Sequence, residues 1–439
     1  MDILFPSATE TAVFASVSIT LIIMLMKKIT ILICTVAIVL GCSKSNIELS
    51  CSNQESDVIG VDEALANLDK VINSLTVTTK SGIVRTFSKE NLAVFSSDEL
   101  GVLTKGTEND DLPDTLLYLL NFNDDKGFAV MSASRKLGNV VYCVTEDGSI
   151  SNSDFSSAYE FLSERSVETR SCDDEEYIVS MGPSFVPALV MSSIMNTFAD
   201  GSRKDDCEPV ETKAMSGVGP FLKTKWDQDE PFNNETPNNY PAGCVVIAVA
   251  QIMAYNEHSV TMSYNLHDCQ WSTLKSVFPY TQPGSMGSTE AQTQAACFAK
   301  ELGRSYHCDV NYGPDGSGSN SDKAKRTLKN YGYHNVDKVT GFGGQHRVKA
   351  RKYLDQGYPV YLSGKPAGKT EGHAWVIDGY SGDYFHCNFG WHGDSDGYYY
   401  KDVFNTSSPV DKDLEVDKNV SDKQSYTFSW YFRMITYTK

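Results

Sequence analysis

One cysteine of this sequence stands where a reactive thiol is expected. Cys244 follows Gly243 and precedes a run of apolar residues that favour a helix. At a helix N-terminus the free backbone N–H groups and the helix dipole favour an anion, which lowers the pKa of a thiol. Cysteine is also among the most buried residue types, so packing alone is the more common explanation. A catalytic role therefore requires a base, an orienting group and an oxyanion donor elsewhere in the chain.

His373 is the candidate base, at the start of a strand-like apolar run. Gly372 before it would let the backbone of a ligand approach closely. A turn near Gly382 would fold the next strand back and make Asn388 a near neighbour of His373 in the sheet. An amide oxygen that accepts from the imidazole would fix its tautomer and leave the other ring nitrogen for the thiol. Trp391 belongs to an aromatic segment that would shield the pair from water.

Gln228 is the candidate oxyanion donor, because its side-chain amide lies shortly before Cys244 in the sequence. Together with the backbone N–H of Cys244 it could stabilise a developing oxyanion. Loss of one such donor typically costs about a hundredfold or more in rate. Taken alone, Gln228 would be an ordinary surface glutamine.

A metal site is suggested at first by His386, Cys387 and His392. Adjacent residues of a strand point to opposite faces of the sheet, however, and no second cluster of Cys and His completes four zinc ligands. The sequence therefore favours a thiol enzyme without a metal or another cofactor.

The order Gln, Cys, His, Asn, with the His about 130 residues after the Cys, is the order in papain-like cysteine peptidases. The local papain signature around the cysteine is absent. The motifs resemble instead those of the streptopain family of secreted bacterial cysteine peptidases. The motifs that carry this resemblance are Trp226-Asp227-Gln228, Gly243-Cys244-Val245 with Ala250-Gln251-Ile252-Met253, Tyr312-Gly313-Pro314, Gly372-His373-Ala374 with Ile377-Asp378-Gly379, and Asn388-Phe389-Gly390-Trp391.

The resemblance extends from about Val218 to the C-terminus and, more weakly, through 116–133, which is similar to the propeptide of that family. It implies a papain-like catalytic domain made as a zymogen, in which a propeptide covers the cleft. The implied roles are Cys244 as nucleophile, His373 as base, Gln228 as oxyanion donor and Asn388 as orienter, with Gly372, Trp391 and either Ser317 or Ser319 lining the substrate groove. The sequence departs from the family at Phe389, where Trp is usual, and at Val246, where Ala is common, which leaves the shape of the cleft open.

The pattern of apolar residues predicts an α+β protein with a papain-like two-lobed catalytic domain, a helical lobe plus an antiparallel sheet lobe, preceded by a small α+β propeptide domain. Charge-rich segments before 217 mark the boundary, with cleavage expected near Lys213. The predicted domains are an N-terminal extension and lipoprotein-type signal peptide (1–42), a tether (43–56), the propeptide domain (57–213) and the catalytic domain (214–439). Helices are predicted over 61–75, 155–165, 289–302, 323–331 and 347–354 besides the Cys244 helix, and strands over 116–122, 127–132, 140–145, 358–362, 373–380, 384–389, 397–400 and 426–436.

The first 42 residues resemble an export signal. Two apolar runs, 12–26 and 29–40, are each shorter than the roughly 20 residues that cross a bilayer. From Met26 onward, two lysines, the second apolar run and Gly41-Cys42 resemble a bacterial lipoprotein signal, in which the cysteine becomes lipid-modified. We expect translation to begin at Met26 and the protein to be exported, with a lipid on Cys42 as its membrane attachment. A plain signal peptide or an uncleaved anchor is the alternative.

Overall composition limits the partners. The 439 residues suffice for two or three domains, and the formal net charge of −18 leaves no basic stripe for nucleic acid. Eleven cysteines without regular spacing do not indicate a disulfide framework, so we expect mostly free, buried thiols. Pairing among Cys269, Cys297 and Cys308 stays open.

The sequence thus predicts a secreted or surface-anchored cysteine endopeptidase that is made as a zymogen. Its expected partners are protein or peptide substrates and its own propeptide as an intramolecular inhibitor. One alternative is a catalytically impaired surface lipoprotein that binds peptides or proteins without turnover. Another is a thiol amidase that acts on short cell-wall peptides.

Overall fold

The computed structural model describes residues 57–79, 85–100, 113–138, 140–164, 177–200, 216–257, 261–262, 267–268, 270–404 and 429–439. The predicted N-terminal extension, signal peptide and tether lie outside these ranges, and so does the expected cleavage site at Lys213. Within the described ranges, no helix is both long enough and apolar enough to span a membrane.

The N-terminal part, residues 57–200, is a four-stranded antiparallel sheet covered on both faces by helices. Successive residues of a strand point to opposite faces. Leu117 and Leu119 accordingly pack in one core, and Tyr118 and Leu120 pack in another. Burial on both faces explains why this strand is apolar almost throughout. The elements are α1 (Val61–Thr79), β1 (Leu92–Ser96), β2 (Thr115–Asn121), β3 (Phe128–Ser132), β4 (Val141–Thr145), α2 (Asn152–Ser163), β5 (Ile178–Ser180) and α3 (Phe185–Asp200).

The strand β5 and the helix α3 were not predicted. Apolar residues lie on nearly all sides of α3, which is typical of a helix in the interior of a protein. Its first residue, Phe185, lies 5.3 Å, between ring centroids, from Trp375 and from Trp430. This helix therefore packs in the same core as the C-terminal sheet.

The C-terminal part, residues 216–439, has the predicted order of helices first and sheet later. The helix that begins at Cys244 is buried along almost its whole length. The elements of the C-terminal part are β6 (Gly217–Val218), α4 (Cys244–Asn256), β7 (Thr261–Met262), β8 (His267–Asp268), α5 (Trp271–Leu274), α6 (Thr289–Gly303), β9 (Gly318–Ser319), α7 (Ser321–Asn330), β10 (His334–Thr340), α8 (Gly344–Asp355), β11 (Val360–Pro366), β12 (Glu371–Ser381), β13 (Tyr384–Asn388), β14 (Gly397–Tyr400) and β15 (Trp430–Thr438).

A single sheet runs through both parts in the order β1-β2-β3-β4-β14-β13-β12-β11-β15-β10. The junction is an antiparallel pair between β4 and β14, in which Val144 lies opposite Tyr398. An edge strand presents unpaired backbone N–H and C=O groups. The pairing of β4 with β14 provides hydrogen-bond partners for these groups on both strands. The N-terminal part thus extends the sheet that carries His373.

Candidate active site

The nucleophile helix begins as the sequence predicted. Cys244 is the first residue of α4 and is buried, with 1% of its surface exposed. Gly243 before it adopts a φ of +96°, a conformation that favours glycine. The backbone therefore turns sharply just before the thiol and aims the helix N-terminus at it.

The side chain that joins Cys244, His373 and Gln228 is Ser180, the last residue of β5 in the N-terminal part. Its hydroxyl lies 3.2 Å from Nδ1 of His373 and close enough to the Cys244 thiol to lower the thiol pKa slightly against the effect of burial. It also accepts a hydrogen bond of 3.1 Å from Nε2 of Gln228. The predicted nucleophile, base and oxyanion donor are thus gathered around one hydroxyl oxygen.

The second ring nitrogen of His373 fixes the tautomer. Nε2 lies 2.7 Å from the backbone oxygen of Phe389. A carbonyl oxygen can only accept, so Nε2 carries the proton and Nδ1 accepts from the hydroxyl of Ser180. The ring of Trp391 lies 4.1 Å from the imidazole between centroids.

Burial determines the protonation states of Cys244 and His373. Desolvation lowers the pKa of His373 to about 3, although the Phe389 carbonyl opposes it. Desolvation likewise raises the pKa of Cys244 to about 12. In the covered state the pair is therefore a neutral thiol and a neutral imidazole rather than a thiolate and an imidazolium.

The structure does not place Asn388 as an immediate sheet neighbour of His373. Asn388 lies opposite Val376, which is separated from His373 along β12 by Ala374 and Trp375. Its Oδ1 accepts a hydrogen bond of 2.7 Å from Nε2 of Gln251, and its Nδ2 donates to a backbone oxygen of the segment before Gln228. The hydrogen bond expected between Asn388 and the imidazole is replaced in this state by the Phe389 carbonyl.

The strand β5 occupies the groove that the sequence assigned to substrate. It runs parallel to β12, with Ser180 opposite Gly372, and antiparallel to β9, with Ile178 opposite Ser319. The backbone N–H of Met181 donates to the carbonyl of Gly372 at 2.9 Å. Gly372 and Ser319 therefore line the occupied groove through their backbones.

Gly372 makes room for a different neighbour from the one expected. A Cβ at this position would lie 2.6 Å from the backbone oxygen of Gly364 and 2.6 Å from Cβ of Lys365, both on β11. The missing side chain thus permits the close approach of a neighbouring strand, not of a ligand.

The loop before α7 contributes differently from the prediction. The hydroxyl of Ser317 is buried without a hydrogen-bond partner, and that of Ser319 donates to the backbone oxygen of Cys308. Gly318 between them, which the sequence analysis did not single out, lies against the ring of Tyr177, and a Cβ there would collide with that ring. The short run of β-branched residues after Tyr177 was the available signal for this strand.

His386 belongs to a buried ionic cluster rather than to a metal site. Its Nδ1 lies 2.5 Å from Asp378, and its Nε2 lies 3.6 Å from Glu146 of the N-terminal part. Burial alone would lower the pKa of His386, but the two carboxylates outweigh it and raise the pKa to about 10. Within the described ranges, no group of His, Cys, Asp or Glu side chains is arranged to hold a metal.

Among the described residues, the thiols of five cysteines are buried and form no disulfide, as predicted. They are those of Cys143, Cys244, Cys297, Cys308 and Cys387. Cys269 lies outside the described ranges.

Comparison with known proteins agrees with this arrangement. The sequence model of the Peptidase C10 family matches residues 226–399, the segment that contains Gln228, Cys244, His373 and Asn388. Streptopain from Streptococcus pyogenes is 26% identical over 310 residues, covering 61% of this chain and 75% of that protein. The thiol protease/hemagglutinin PrtT from Porphyromonas gingivalis is 28% identical over 225 residues, covering 44% of this chain but 26% of that protein.

A solved structure shares the fold. The prointerpain A fragment from Prevotella intermedia superposes with a TM-score of 0.50 at 19% identity and covers 79% of this chain and 98% of that one. This similarity confirms the predicted α+β, papain-like architecture. The sequence matches, centred on the segment that carries Cys244 and His373, support a cysteine peptidase similar to the streptopain type.

Proposed function

We propose that the protein is an exported cysteine endopeptidase made as a zymogen, with residues 57–213 as propeptide and 214–439 as catalytic domain. The observation that carries this proposal is β5, which lies in the groove between β9 and β12 and brings one hydroxyl to Cys244, His373 and Gln228. An intramolecular segment held in this way blocks a peptide substrate from the same backbone partners.

The chemistry follows from the placement of the side chains. Once β5 leaves, solvent enters and the proton of Cys244 passes to His373, which gives a thiolate and an imidazolium. The thiolate attacks the peptide carbonyl, and the oxyanion accepts hydrogen bonds from Nε2 of Gln228 and the backbone N–H of Cys244. The imidazolium protonates the departing amine, so that the C–N bond breaks and a thioester forms. Water then gives a proton to His373, attacks the thioester, and releases the carboxylic acid and the thiol.

The Ser180 hydroxyl stands where the oxyanion of a substrate would lie, because it accepts the hydrogen bond of Gln228. It cannot replace the substrate chemically, since it offers no carbonyl to the thiol. Its donation to Nδ1 of His373 also occupies the nitrogen that would take the thiol proton. These contacts support a propeptide that acts as inhibitor until it is cleaved, with Lys213 as the candidate site.

Export rests on the sequence alone. The lysines after Met26, the apolar run and Cys42 support a lipoprotein-type signal, and a lipid on Cys42 would anchor the protein to a bacterial membrane. Metabolic labelling with a fatty-acid analogue tests this part, with Cys42→Ser as the control variant.

The decisive experiment compares two cysteine variants of the full chain. Cys244→Ala is expected to remain an uncleaved zymogen without activity on casein, whereas Cys297→Ala, which removes a buried thiol on α6, keeps both maturation and activity. A Cys244→Ala chain that matures and cleaves casein would contradict the assignment. A wild-type protein that cleaves short cell-wall peptides but no protein would favour an amidase. A wild-type protein whose Cys244 resists a peptidyl electrophile after maturation would favour a binding protein.

A further inference from the structure

Gln251 is a buried amide on the nucleophile helix, two helical turns beyond Cys244 and therefore on the same side of α4. Its Nε2 donates a hydrogen bond of 2.7 Å to Oδ1 of Asn388. Its Oε1 accepts one of 3.2 Å from Oγ1 of Thr224. Both ends of the amide thus have a partner, and the partners belong to different segments of the chain.

The network closes on itself through Asn388. Its Nδ2 donates to the backbone oxygen of Thr224 at 3.0 Å, and its Oδ1 also accepts from the backbone N–H of Gly390 at 3.2 Å. Three segments are therefore joined by buried hydrogen bonds. They are α4 with Cys244, the segment that leads to Gln228, and the loop 388–390.

The loop 388–390 acts directly on the base. The carbonyl of Phe389, at its centre, holds Nε2 of His373 at 2.7 Å. The loop is pressed onto the helix as well, because a Cβ at Gly390 would lie 2.8 Å from Cγ2 of Ile247. Gln251 and its neighbours thus set the distance between α4, which carries Cys244, and the Phe389 carbonyl, which accepts from His373.

We infer that Gln251 is a positioning residue of the peptidase. It fixes the loop 388–390 on the nucleophile helix, so that His373 presents Nδ1 to Cys244 in the active enzyme. This inference rests on the proposed roles of Cys244 and His373. Gln251 itself touches no reacting atom.

The amide is needed because it donates at one end and accepts at the other. Gln251→Glu keeps the shape but places a carboxylate oxygen against Oδ1 of Asn388. A flip of the Asn388 amide would not repair this, since its Oδ1 would then face the backbone oxygen of Thr224 and Gly390 N–H would lose its acceptor. Gln251→Met keeps the volume and removes both hydrogen bonds.

The test uses matured enzyme, with the concentration of active sites determined by titration with a peptidyl epoxide. Because a displacement of about 1 Å can cost on the order of a hundredfold in rate, both variants are expected to lose kcat by about that factor with little change in KM. A less well oriented imidazole stabilises the thiolate less. The pH profile of kcat/KM should therefore become narrower, with its acidic limb at higher pH.

Asn256→Ala is the matched control on the same helix. Nδ2 of Asn256 makes buried hydrogen bonds of 2.8 Å to the backbone oxygen of Ile252 and to Tyr437, away from the loop. This variant should lower thermal stability and leave the pH profile unchanged.

Wild-type kcat and a wild-type pH profile in Gln251→Glu would overturn the inference, and so would the same narrowing in Asn256→Ala. If neither Gln251 variant matures, the rate of Cys244 alkylation in the zymogen after proteolytic removal of the propeptide gives the same pH comparison. Turnover in a Cys244→Ala chain would instead refute the proposed function, whatever the Gln251 variants show.

Discussion

The hydroxyl of Ser180 lies 3.2 Å from Nδ1 of His373, the nitrogen that must take the proton of the nucleophile. Ser180 belongs to the proposed propeptide and His373 to the catalytic domain, so this contact exists only before the two are separated. Since the Ser180 hydroxyl also meets Cys244 and Gln228, one small side chain engages three of the groups needed for turnover. Substitutions at single residues can therefore test how the covered state is held together.

Replacing Ser180 by Ala should weaken the docking of β5 and speed maturation. The change leaves Nδ1 of His373 and Nε2 of Gln228 without a partner in a buried site, which costs about 1–3 kcal/mol. The open state should then be populated roughly five- to 150-fold more, and the time course of zymogen cleavage on a gel measures this. Ser184→Ala, which removes an exposed hydroxyl bonded to the backbone of Met181, should mature at the wild-type rate. Equal rates in both variants would contradict the role of Ser180.

The reactivity of Cys244 should change strongly on maturation. In the covered state desolvation raises its pKa to about 12, and since the thiolate is the reactive form, freshly prepared zymogen should react slowly with iodoacetamide at neutral pH. Removal of the propeptide restores solvent and the imidazolium partner, so labelling should become fast at mildly acidic pH. Mass spectrometry of the labelled peptide measures both rates. The buried Cys297 should stay unlabelled in both forms, and rapid labelling of Cys244 in intact zymogen would show that the site is not covered.

The sequence could place the thiol of Cys244 at a helix start and His373 in a strand because both positions depend on local structure. A glycine before an apolar helix positions Cys244, and a strand start positions His373. Ser180 and Gln251 were not identified, because their roles depend on partners far away in the chain, such as Gly372 for β5 and Asn388 for Gln251. Asn388 lies opposite Val376 because the pairing of β12 with β13 starts at Ser381 and Tyr384, and the sequence alone does not fix which residues pair across that turn. The pairing of β4 with β14 leaves no local signal in either strand.

Gly318 and Tyr177 should act as a pair in docking the propeptide. The ring of Tyr177 lies over Gly318, where a Cβ would collide with it, and its hydroxyl accepts a hydrogen bond of 3.1 Å from Asn311. Gly318→Ala should therefore displace the ring, and Tyr177→Ala should remove its contacts, so that either variant matures faster. The effects of substitutions at two residues in contact do not simply add. The double variant should therefore mature no faster than the faster of the two single variants. Additive rates would show that the two residues act independently.

The ionic cluster of His386, Asp378 and Glu146, which joins the N-terminal and C-terminal parts, should make stability depend on pH in a defined direction. The pKa of His386, ordinarily about 6.5, is raised to about 10 by Asp378 and Glu146 despite burial, so its contribution is complete below about pH 6.5 and is lost as pH rises towards 10. Burial would raise the pKa of Glu146, but His386, Tyr280 and Arg85 outweigh it and lower the pKa to about 2, so its contribution is complete above about pH 4.5 and is lost as pH falls.

The stabilisation by this cluster should therefore be greatest between about pH 4.5 and 6.5. Glu146→Gln removes one carboxylate from His386, which lowers the pKa of its imidazole in the folded state. Wild-type zymogen should then lose more thermal stability between pH 6.5 and 10 than the variant does. Glu63→Gln, which breaks a partly exposed pair with Arg135 at 2.8 Å, should leave the slope of that loss unchanged, because exposed pairs contribute little. Parallel curves of melting temperature against pH for wild type and Glu146→Gln would show that Glu146 does not hold the charge on His386.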